Sequence, residues 1–182
     1  WAKYNSDPIQ TNDTVIGRVQ VIAGNVKSLP LVEDFETFSQ CNVSNNCQTI
    51  CNLMNDFVNE SNSISDQHDW RTNSGAPPTS GTGPQLDFSP GSVNGKYVYL
   101  ESTGPCTSLT AHMLSPCVNL ATMPESILSF GYHMNGITLC TMYLDVFANG
   151  VWNNAVWSSS GDLGDIWNTA NVNLNPWSNT VV

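Results

Sequence analysis

The stretch Ile127-Leu-Ser-Phe-Gly-Tyr-His-Met134 decides the fold class, because its β-branched and aromatic residues are typical of a β-strand. Similar stretches lie on both sides of it, separated by Gly, Pro, Asn and Ser turns. They are Lys96-Tyr-Val-Tyr-Leu-Glu101, Leu109-Thr-Ala-His-Met-Leu114, Thr138-Leu-Cys-Thr-Met-Tyr-Leu-Asp-Val-Phe147 and Trp167-Asn-Thr-Ala-Asn-Val-Asn-Leu174. Their spacing predicts an all-β fold, built as an antiparallel sandwich.

Local patterns between these stretches add detail. In the predicted strand 96–101, Tyr97 and Tyr99 fall on the same side, because alternate residues of a strand share a face. Asn149-Gly150 is a hairpin-like turn signal. Apolar residues at helical spacing occur only in the short segment Ile50-Cys-Asn-Leu-Met-Asn-Asp-Phe-Val58. Residues 74–84, rich in Gly, Pro, Ser and Thr, predict a loop.

The composition excludes several classes of protein. The chain has 182 residues with 22 Asn, 20 Ser and 15 Thr, and only 11% of its residues are charged. Small polar residues of this kind favour turns and β structure, while a hydrophobic fraction of 40% is enough for a core. The net charge of −10 argues against a nucleic-acid partner. No apolar run is long enough for membrane insertion, and the sequence is interpreted as a processed or excised segment.

The chain is predicted to have two unequal parts. Within residues 1–28, Thr14-Val-Ile-Gly-Arg-Val-Gln-Val-Ile22 predicts a single strand bounded by turns. One strand cannot bury its own face, so this part is interpreted as the terminal strand of a preceding domain, a linker, or an edge strand of the main sheet. Residues 29–182 are predicted to form the main domain.

Six cysteines predict disulfides in an oxidising, extracellular compartment. Zinc is the alternative, but the C-x5-C-x3-C spacing of the first three contains no paired metal-binding knuckle. The spacing leaves about fifteen connectivities open. A local bridge between Cys106 and Cys117 is one of them, whereas Cys140, inside a strand pattern, needs a distant partner. The predicted disulfide residues are Cys41, Cys47, Cys51, Cys106, Cys117 and Cys140.

The acidic segment Glu33-Asp-Phe-Glu36 predicts a cation site. In a strand, Asp34 and Glu36 point to the same side, and two converging carboxylates repel each other unless a cation lies between them. Ca²⁺ prefers such oxygen ligands, and a third acid drawn from Asp87, Asp69 or Asp66 would complete the site. The alternative is that these acids are solvated strand residues or turn caps.

The sequence is predicted not to be an enzyme. It contains no H-E-x-x-H, G-x-S-x-G or P-loop motif. A retaining glycosidase would also use two neighbouring carboxylates, but the E-x-D-x-x-E strand of jelly-roll glycosidases does not occur.

The six tryptophans allow two interpretations. Large aromatic residues dominate the cores of small sandwiches, and this is the role that we predict for Trp157 and Trp167. Exposed rings would instead form a stacking platform for sugars. Trp152, Trp177 and Tyr97 are the candidates for such a groove.

Several pieces of the sequence occur together in a characteristic order. They are Glu33-Asp-Phe-Glu36, Asp69-Trp70, Thr82-Gly-Pro84 with Asp87, Gly95-Lys-Tyr-Val-Tyr-Leu-Glu-Ser102, Ala111-His-Met-Leu-Ser-Pro116, Leu128-Ser-Phe-Gly-Tyr-His-Met-Asn-Gly136, Leu144-Asp-Val146, and Trp157-Ser-Ser-Ser-Gly161 followed by Trp167. In this order they resemble a MAM domain, the extracellular adhesive module named after meprin, A5 antigen and receptor phosphatase mu. The resemblance extends from residue 32 to about residue 175.

The resemblance implies a jelly-roll β-sandwich that serves adhesion or assembly and has no catalytic function. It also implies a structural cation, Ca²⁺ or alternatively Na⁺, at Glu36 and Asp87, with Asp34 as a further ligand. Such a cation would pin the opening strand of the domain to the loop of residues 74–91.

One departure from the family pattern and one further resemblance lead to two more expectations. Family members usually end in additional strands with a G-D-I-A-I-D-D-type segment, so the sandwich is predicted to be incomplete at the C-terminus, its gap open to a partner strand. Residues 1–28 resemble the end of an Ig-like domain as found before such modules in large bacterial surface proteins. This analogy predicts a bacterial origin and export through a type IX route.

Together these observations predict a non-catalytic extracellular adhesion or protein-interaction module within a larger exported surface protein. Its expected partners are a protein or a cell-surface glycan, other domains of the same polypeptide, and export machinery. The alternative is a carbohydrate-binding jelly-roll module attached to a secreted enzyme.

Overall fold

The fold is seen in a computed structural model that describes residues 26–42, 44, 46–63, 66–137 and 141–182. Its strands are β1 Val58–Asn59, β2 Arg71–Ser74, β3 Lys96–Tyr99, β4 Met113–Leu114, β5 Ile127–His133, β6 Thr141–Ala148, β7 Val151–Ser160 and β8 Trp167–Asn173. Two short 3-10 turns cover Gly104–Cys106 and Asn175–Trp177. Within the described residues, no helix has the length and hydropathy that crossing a membrane requires.

The strands form four antiparallel two-stranded ladders. β1 pairs with β4, β2 with β3, β5 with β8, and β6 with β7. The two long ladders, β5–β8 and β6–β7, account for most of the paired residues. The predicted all-β antiparallel architecture is confirmed, and it is consistent with a β-sandwich.

Aromatic packing joins the two long ladders. The ring of Trp157 on β7 lies 5.0 Å from that of Phe130 and 4.9 Å from that of Tyr132, both on β5, in edge-to-face geometry. Ala170 lies opposite Phe130 in the β5–β8 register and is buried on the same face. Edge-to-face pairs stabilise a core beyond the area that they bury. The packing of Trp157 agrees with its predicted role in the core.

The β6–β7 hairpin contains two irregular points. Its turn is Asn149-Gly150, with φ of 53° and 79°, as a two-residue turn with positive φ at both positions requires. A bulge interrupts the ladder, because Leu144 pairs with Trp157 but Val146 pairs with Asn153. A bulge increases the local twist and turns the following side chains to a new direction.

The loop of residues 74–91 lies against the other face of β5–β8. The Nε1 of Trp167 donates a hydrogen bond of 2.9 Å to the carbonyl of Leu86, and the rings of Trp167 and Phe88 lie 5.6 Å apart. At Gly131 of β5, an added Cβ would lie 2.6 Å from the ring of Phe88. A glycine is therefore needed where the loop touches the strand.

Both ends of the described chain pair with residues 117–120. Lys27 forms a parallel bridge with Val118, in which its amide donates to the carbonyl of Cys117. On the other side, Val118 and Val182 exchange two backbone hydrogen bonds of 2.7 and 3.0 Å. Residue 27 therefore contacts the main domain, and residues 1–25 lie outside the described residues. The predicted domain boundary and the predicted vacant strand position stay predictions.

The strands differ from the sequence-based expectation in several places. β1, β2 and β7 have no counterpart among the predicted strands, and the predicted strand 109–114 is reduced to β4. β6 is seen from Thr141 onward, since residues 138–140 lie outside the described residues. The segment 50–58 forms no helix, because Asn55 and Asp56 adopt φ of 54° and 68° in a turn.

Candidate functional site

Three exposed aromatic side chains lie on the outer side of the β6–β7 hairpin. Tyr143, Phe147 and Trp152 are 59%, 46% and 48% exposed, and we call these three residues the aromatic face. Phe147 and Trp152 lie directly opposite each other, with ring centroids 5.1 Å apart. Exposed aromatic rings that lie close together are typical of surfaces that contact another molecule.

Strand alternation explains why these rings point outward. Their neighbours on β6, Val146 and Ala148, are buried, so Tyr143 and Phe147 must face the opposite side. Asp145 shares that outer side, and its Oδ1 accepts a hydrogen bond of 2.6 Å from the amide of Ala155 at the bulge. The carboxylate is thereby held down against the hairpin.

The structure brings two of the three predicted cation ligands to adjacent backbone positions. Glu36 Oε1 accepts a hydrogen bond of 2.7 Å from the amide of Lys96. Gly95 directly precedes Lys96, and the carboxyl group of Asp87 packs against it. A Cβ added at Gly95 would lie 2.2 Å from Asp87 Cγ. Asp87 is 2% exposed, and its Oδ1 accepts a hydrogen bond of 2.5 Å from the amide of Ser92. Its Oδ2 is buried and has no hydrogen-bond partner.

The remaining predicted acids have other partners. The exposed Asp34 accepts a hydrogen bond of 3.1 Å from the amide of Glu36, which is the turn-cap role given above as the alternative. Asp69 accepts from the amide of Cys51, and Asp66 accepts from that of His112. The structure therefore separates Asp66 and Asp69 from the acidic segment. The predicted set of Asp34, Glu36 and Asp87 stays a prediction.

Two disulfides form among the described cysteines. Cys41 is bonded to Cys51, and Cys47 to Cys106. The suggested local bridge between Cys106 and Cys117 is wrong, because Cys106 is engaged by Cys47, 59 residues earlier in the chain. Cys117 forms no disulfide with any described residue, and Cys140 lies outside the described part of the chain. The zinc alternative for Cys41, Cys47 and Cys51 fails because all three sulfurs are in disulfides.

A shallow cleft of about 200 Å³ lies where the loop of residues 74–91 meets β5 and β8. Pro84, Leu86, His133, Asp165 and Trp167 are among its lining residues. The Nε2 of His133 donates a hydrogen bond of 3.1 Å to Asp165, while its buried Nδ1 has no partner. A serine triad needs a hydroxyl bonded to the second nitrogen, and none among the described residues bonds here. The described residues therefore assemble no serine triad in this cleft.

His133 makes the stability of the domain depend on pH. Its side chain is only 3% exposed, and burial lowers its pKa, although the carboxylate of Asp165 raises it in part. We expect the free energy of unfolding to be highest above about pH 6.5 and to fall as the pH drops below it, because the unfolded ring takes up a proton that the buried ring does not. His133→Gln should flatten this dependence. Urea unfolding of the wild type and of His133→Gln, measured above and below that pH, checks this prediction. An equal change of unfolding free energy with pH in both proteins would contradict it.

The proposed sugar platform loses one of its three members. Tyr97 is 4% exposed, and its hydroxyl donates 2.6 Å to the carbonyl of Gly75. Burial raises its pKa to about 12. Its predicted place in a sugar-binding groove is therefore wrong, because the ring lies in the core beside Tyr99 and Trp167. Trp177 is half-buried, so Trp152 is the member that remains exposed.

Residues 34–181 match the family described as MAM domain, meprin/A5/mu. The chain belongs to the MAM domain family. It is similar to MAM domain-containing glycosylphosphatidylinositol anchor protein 2 of Mus musculus, with 37% identity over 125 residues that cover 61% of this chain. It is also similar to MAM domain-containing glycosylphosphatidylinositol anchor protein 1 of Gallus gallus, with 36% identity over 54% of the chain, and to Neuropilin-1a of Danio rerio, with 33% identity over 60%.

These relatives also limit what can be transferred to this MAM domain. They are animal proteins, so they lend no support to the predicted bacterial origin or to export through a type IX route. The matches cover 13%, 10% and 12% of the respective relatives, so the chain spans only a small part of their length.

The structure gives one family motif of this MAM domain a local role. The side chain of Asn59 donates to the carbonyls of Cys51 and Trp70 and accepts from the amide of Trp70, each at 2.9 Å. Asp69 caps the amide of Cys51 at 2.9 Å. The Asp69-Trp70 pair therefore holds residues 41–51, which we call the cysteine-rich segment, against β1, and this is a structural role.

Proposed function

We propose that this MAM domain is a non-catalytic extracellular adhesion and protein-interaction module of a larger exported surface protein, and that it binds through the aromatic face. MAM domains are adhesion-type modules, and two of the relatives are named as glycosylphosphatidylinositol anchor proteins, which belong at a cell surface. Two disulfides fit an oxidising compartment.

The exposure of the aromatic face is the observation that carries this proposal. Aromatic residues are enriched at the centres of protein interfaces, where they supply large contact areas at low entropic cost. Asp145 is the acid between the rings, and its bond to the hairpin backbone reduces the cost of covering it. A protein partner with an apolar surface and a polar rim fits this chemistry.

Binding to cells tests the proposal. Beads that carry the 182-residue chain at high density should bind saturably to vertebrate cells, and the double variant Phe147→Ser/Trp152→Ser should lose most of this binding. Ile166→Ser is the matched control, since Ile166 is 59% exposed but lies outside the aromatic face. Undiminished binding of the double variant would reject the aromatic face as the adhesive surface.

Carbohydrate binding is the second candidate function, and the exposure of Trp152 favours it. A single tryptophan beside Phe147 could stack on one sugar ring. Glycan-array binding that Trp152→Ala abolishes, together with loss of cell binding after enzymatic deglycosylation, would support this alternative over a protein partner.

We also propose that a hard cation binds between Glu36 and Asp87. The unpartnered Asp87 Oδ2 and the absence of a side chain at Gly95 support it, and Ca²⁺ and Na⁺ are the candidates. When bound, the cation would supply the electrostatic link between the acidic segment and the loop of residues 74–91.

Ca²⁺ should therefore raise the melting temperature of the wild-type chain, because a ligand of the native state stabilises it by mass action. Asp87→Asn should abolish the increase while keeping an oxygen for the amide of Ser92. Asp162→Asn is the control, since Asp162 also accepts backbone hydrogen bonds. If Ca²⁺, Na⁺ and a chelator all leave the wild-type melting temperature unchanged, the site does not exist.

A further inference from the structure

A second group of potential metal ligands lies away from the aromatic face and the acidic segment. Glu60, Asp66 and His112 bring three ligand atoms within 4.8 Å of one another. In the part of the chain that the structure describes, no other group of three His, Cys, Asp or Glu residues converges in this way.

The fold creates this arrangement from three separate segments. The β1–β4 pairing continues one step beyond the strands, where the amide of Glu60 donates 3.1 Å to the carbonyl of His112. The two side chains therefore face each other, and His112 Nδ1 lies 2.9 Å from Glu60 Oε2. Asp66 is tied to the residues just after Glu60, since the amide of Ser63 donates a hydrogen bond of 2.9 Å to its carbonyl and Asn62 forms a bridge with it. These contacts hold Asp66 beside the pair.

Asp66 provides independent evidence that a ligand belongs here. Asp66 is fully buried, at 0% exposure, and its Oδ2 accepts a hydrogen bond of 2.8 Å from the amide of His112. Its Oδ1 is buried and has no hydrogen-bond partner. Leaving a carboxylate oxygen buried and unpaired costs free energy, and burial accordingly raises the pKa of Asp66. A cation at this point would satisfy the oxygen.

We propose that Glu60, Asp66 and His112 form a binding site for one Zn²⁺ ion. An imidazole nitrogen with two carboxylate oxygens is a ligand set that suits zinc, whereas Ca²⁺ needs six to eight oxygens. Ligand atoms of a tetrahedral zinc site lie about 3.3 Å apart. The spacing of 2.9 Å between His112 Nδ1 and Glu60 Oε2 needs only a small increase to reach this value.

Zinc would take the place of the proton that His112 and Glu60 share. To bind zinc, Nδ1 must lose this proton: a neutral ring carries it on Nε2 instead, and a protonated ring releases one proton to solvent. The side chains of His112 and Glu60 are 45% and 20% exposed, so water completes the fourth position from the open side. Asp66 binds from the buried side.

The site would strengthen the weakest ladder of the fold. β1 and β4 pair over only two residues each, and the ligands come from the end of β1, from the turn after it and from the residue before β4. A metal that links all three stabilises this edge by mass action.

Titration of the full 182-residue chain with Co²⁺, followed by Zn²⁺, tests the site. We expect one equivalent of Co²⁺ to give the visible bands of a tetrahedral nitrogen and oxygen site without thiolate charge-transfer absorption, and Zn²⁺ but not Ca²⁺ to displace it. His112→Ala and Glu60→Gln should each weaken Zn²⁺ binding by at least about 100-fold, because even outer ligand-orienting groups contribute 10 to 100-fold. Zn²⁺ should raise the melting temperature of the wild type and leave that of His112→Ala unchanged.

Asp165→Asn is the matched control, because Asp165 also bonds a histidine but has no third ligand beside it within the described residues. It should bind Zn²⁺ like the wild type. The proposal is overturned by the absence of stoichiometric binding at micromolar metal, by thiolate absorption that reveals Cys117 as the ligand, or by unchanged affinity in a folded His112→Ala variant.

Discussion

Replacing Cys47 and Cys106 together by alanine is expected to lower the free energy of unfolding by about 4 kcal/mol. The disulfide joins residues 59 apart in sequence, and a cross-link restricts the unfolded chain more strongly when it closes a longer loop. Both residues are buried, with exposures of 6% and 2%, so the substitution also removes packed sulfur from the core.

Urea denaturation of the double-alanine variant measures this effect. The bond between Cys41 and Cys51, with a separation of 10, is the internal control, and its removal should cost only about 2.7 kcal/mol by the same loop argument. The order of the two variants is the decisive result. Equal losses, or a larger loss for the shorter loop, would show that loop length does not determine the contribution of these disulfides.

Besides the disulfide between Cys47 and Cys106, other contacts hold the cysteine-rich segment in place. Beside it, the two ring nitrogens of the buried His68 lie 2.8 Å from the carbonyl of Cys47 and 2.9 Å from that of Glu101. The buried ring therefore lies between backbone carbonyls from both sides of the bond. A region with little regular secondary structure is fixed here by side chains that bond to backbone carbonyls.

Strands β5, β6 and β8 of this MAM domain could be predicted from local patterns, whereas β7, the longest strand, and the short polar strand β2 could not. β5 and β8 carry aromatic or β-branched residues, which are typical of strands wherever they occur. β2 has the sequence Arg-Thr-Asn-Ser, and three of its four residues are buried only because β3 and the cysteine-rich segment cover them. The bulge opposite Asp145, with Ala155 at φ 53°, likewise depends on a tertiary hydrogen bond.

The candidate sites show the same limit. The family resemblance indicates Glu36 and Asp87 as cation ligands, yet the unpaired Oδ2 of Asp87 is visible only in the fold. His112 gave no signal, because its partner Glu60 is 52 residues away and a lone histidine in a strand pattern has no motif. The sequence offers Asp66 as a third acid for the acidic segment, but in the fold its carboxylate accepts from the amide of His112 instead.

Arg71 at the start of β2 is the charged residue whose removal should affect the fold most. It is 0% exposed, and its Nη1 donates 2.7 Å to the carbonyl of Ser44, while its Nη2 donates to the carbonyl of Asn46. No carboxylate lies within 4.0 Å of it among the described residues. Backbone carbonyls rather than a counter-ion therefore hold this buried charge, and in return it orders the segment between Cys41 and Cys47.

Arg71→Ala is expected to lower the free energy of unfolding by about 3–5 kcal/mol, because it leaves two carbonyls without donors and opens a cavity. Arg71→Lys keeps the charge but not the planar fork, and should lose about 1–3 kcal/mol. Lys96→Ala is the matched control. Lys96 also donates to two carbonyls, those of Glu36 and Phe38, but it is only half-buried, so water can replace its bonds. Chemical denaturation should show the largest loss in free energy of unfolding for Arg71→Ala, a smaller one for Arg71→Lys and the smallest for Lys96→Ala. If Arg71→Ala loses no more than Lys96→Ala, the segment between Cys41 and Cys47 does not depend on Arg71.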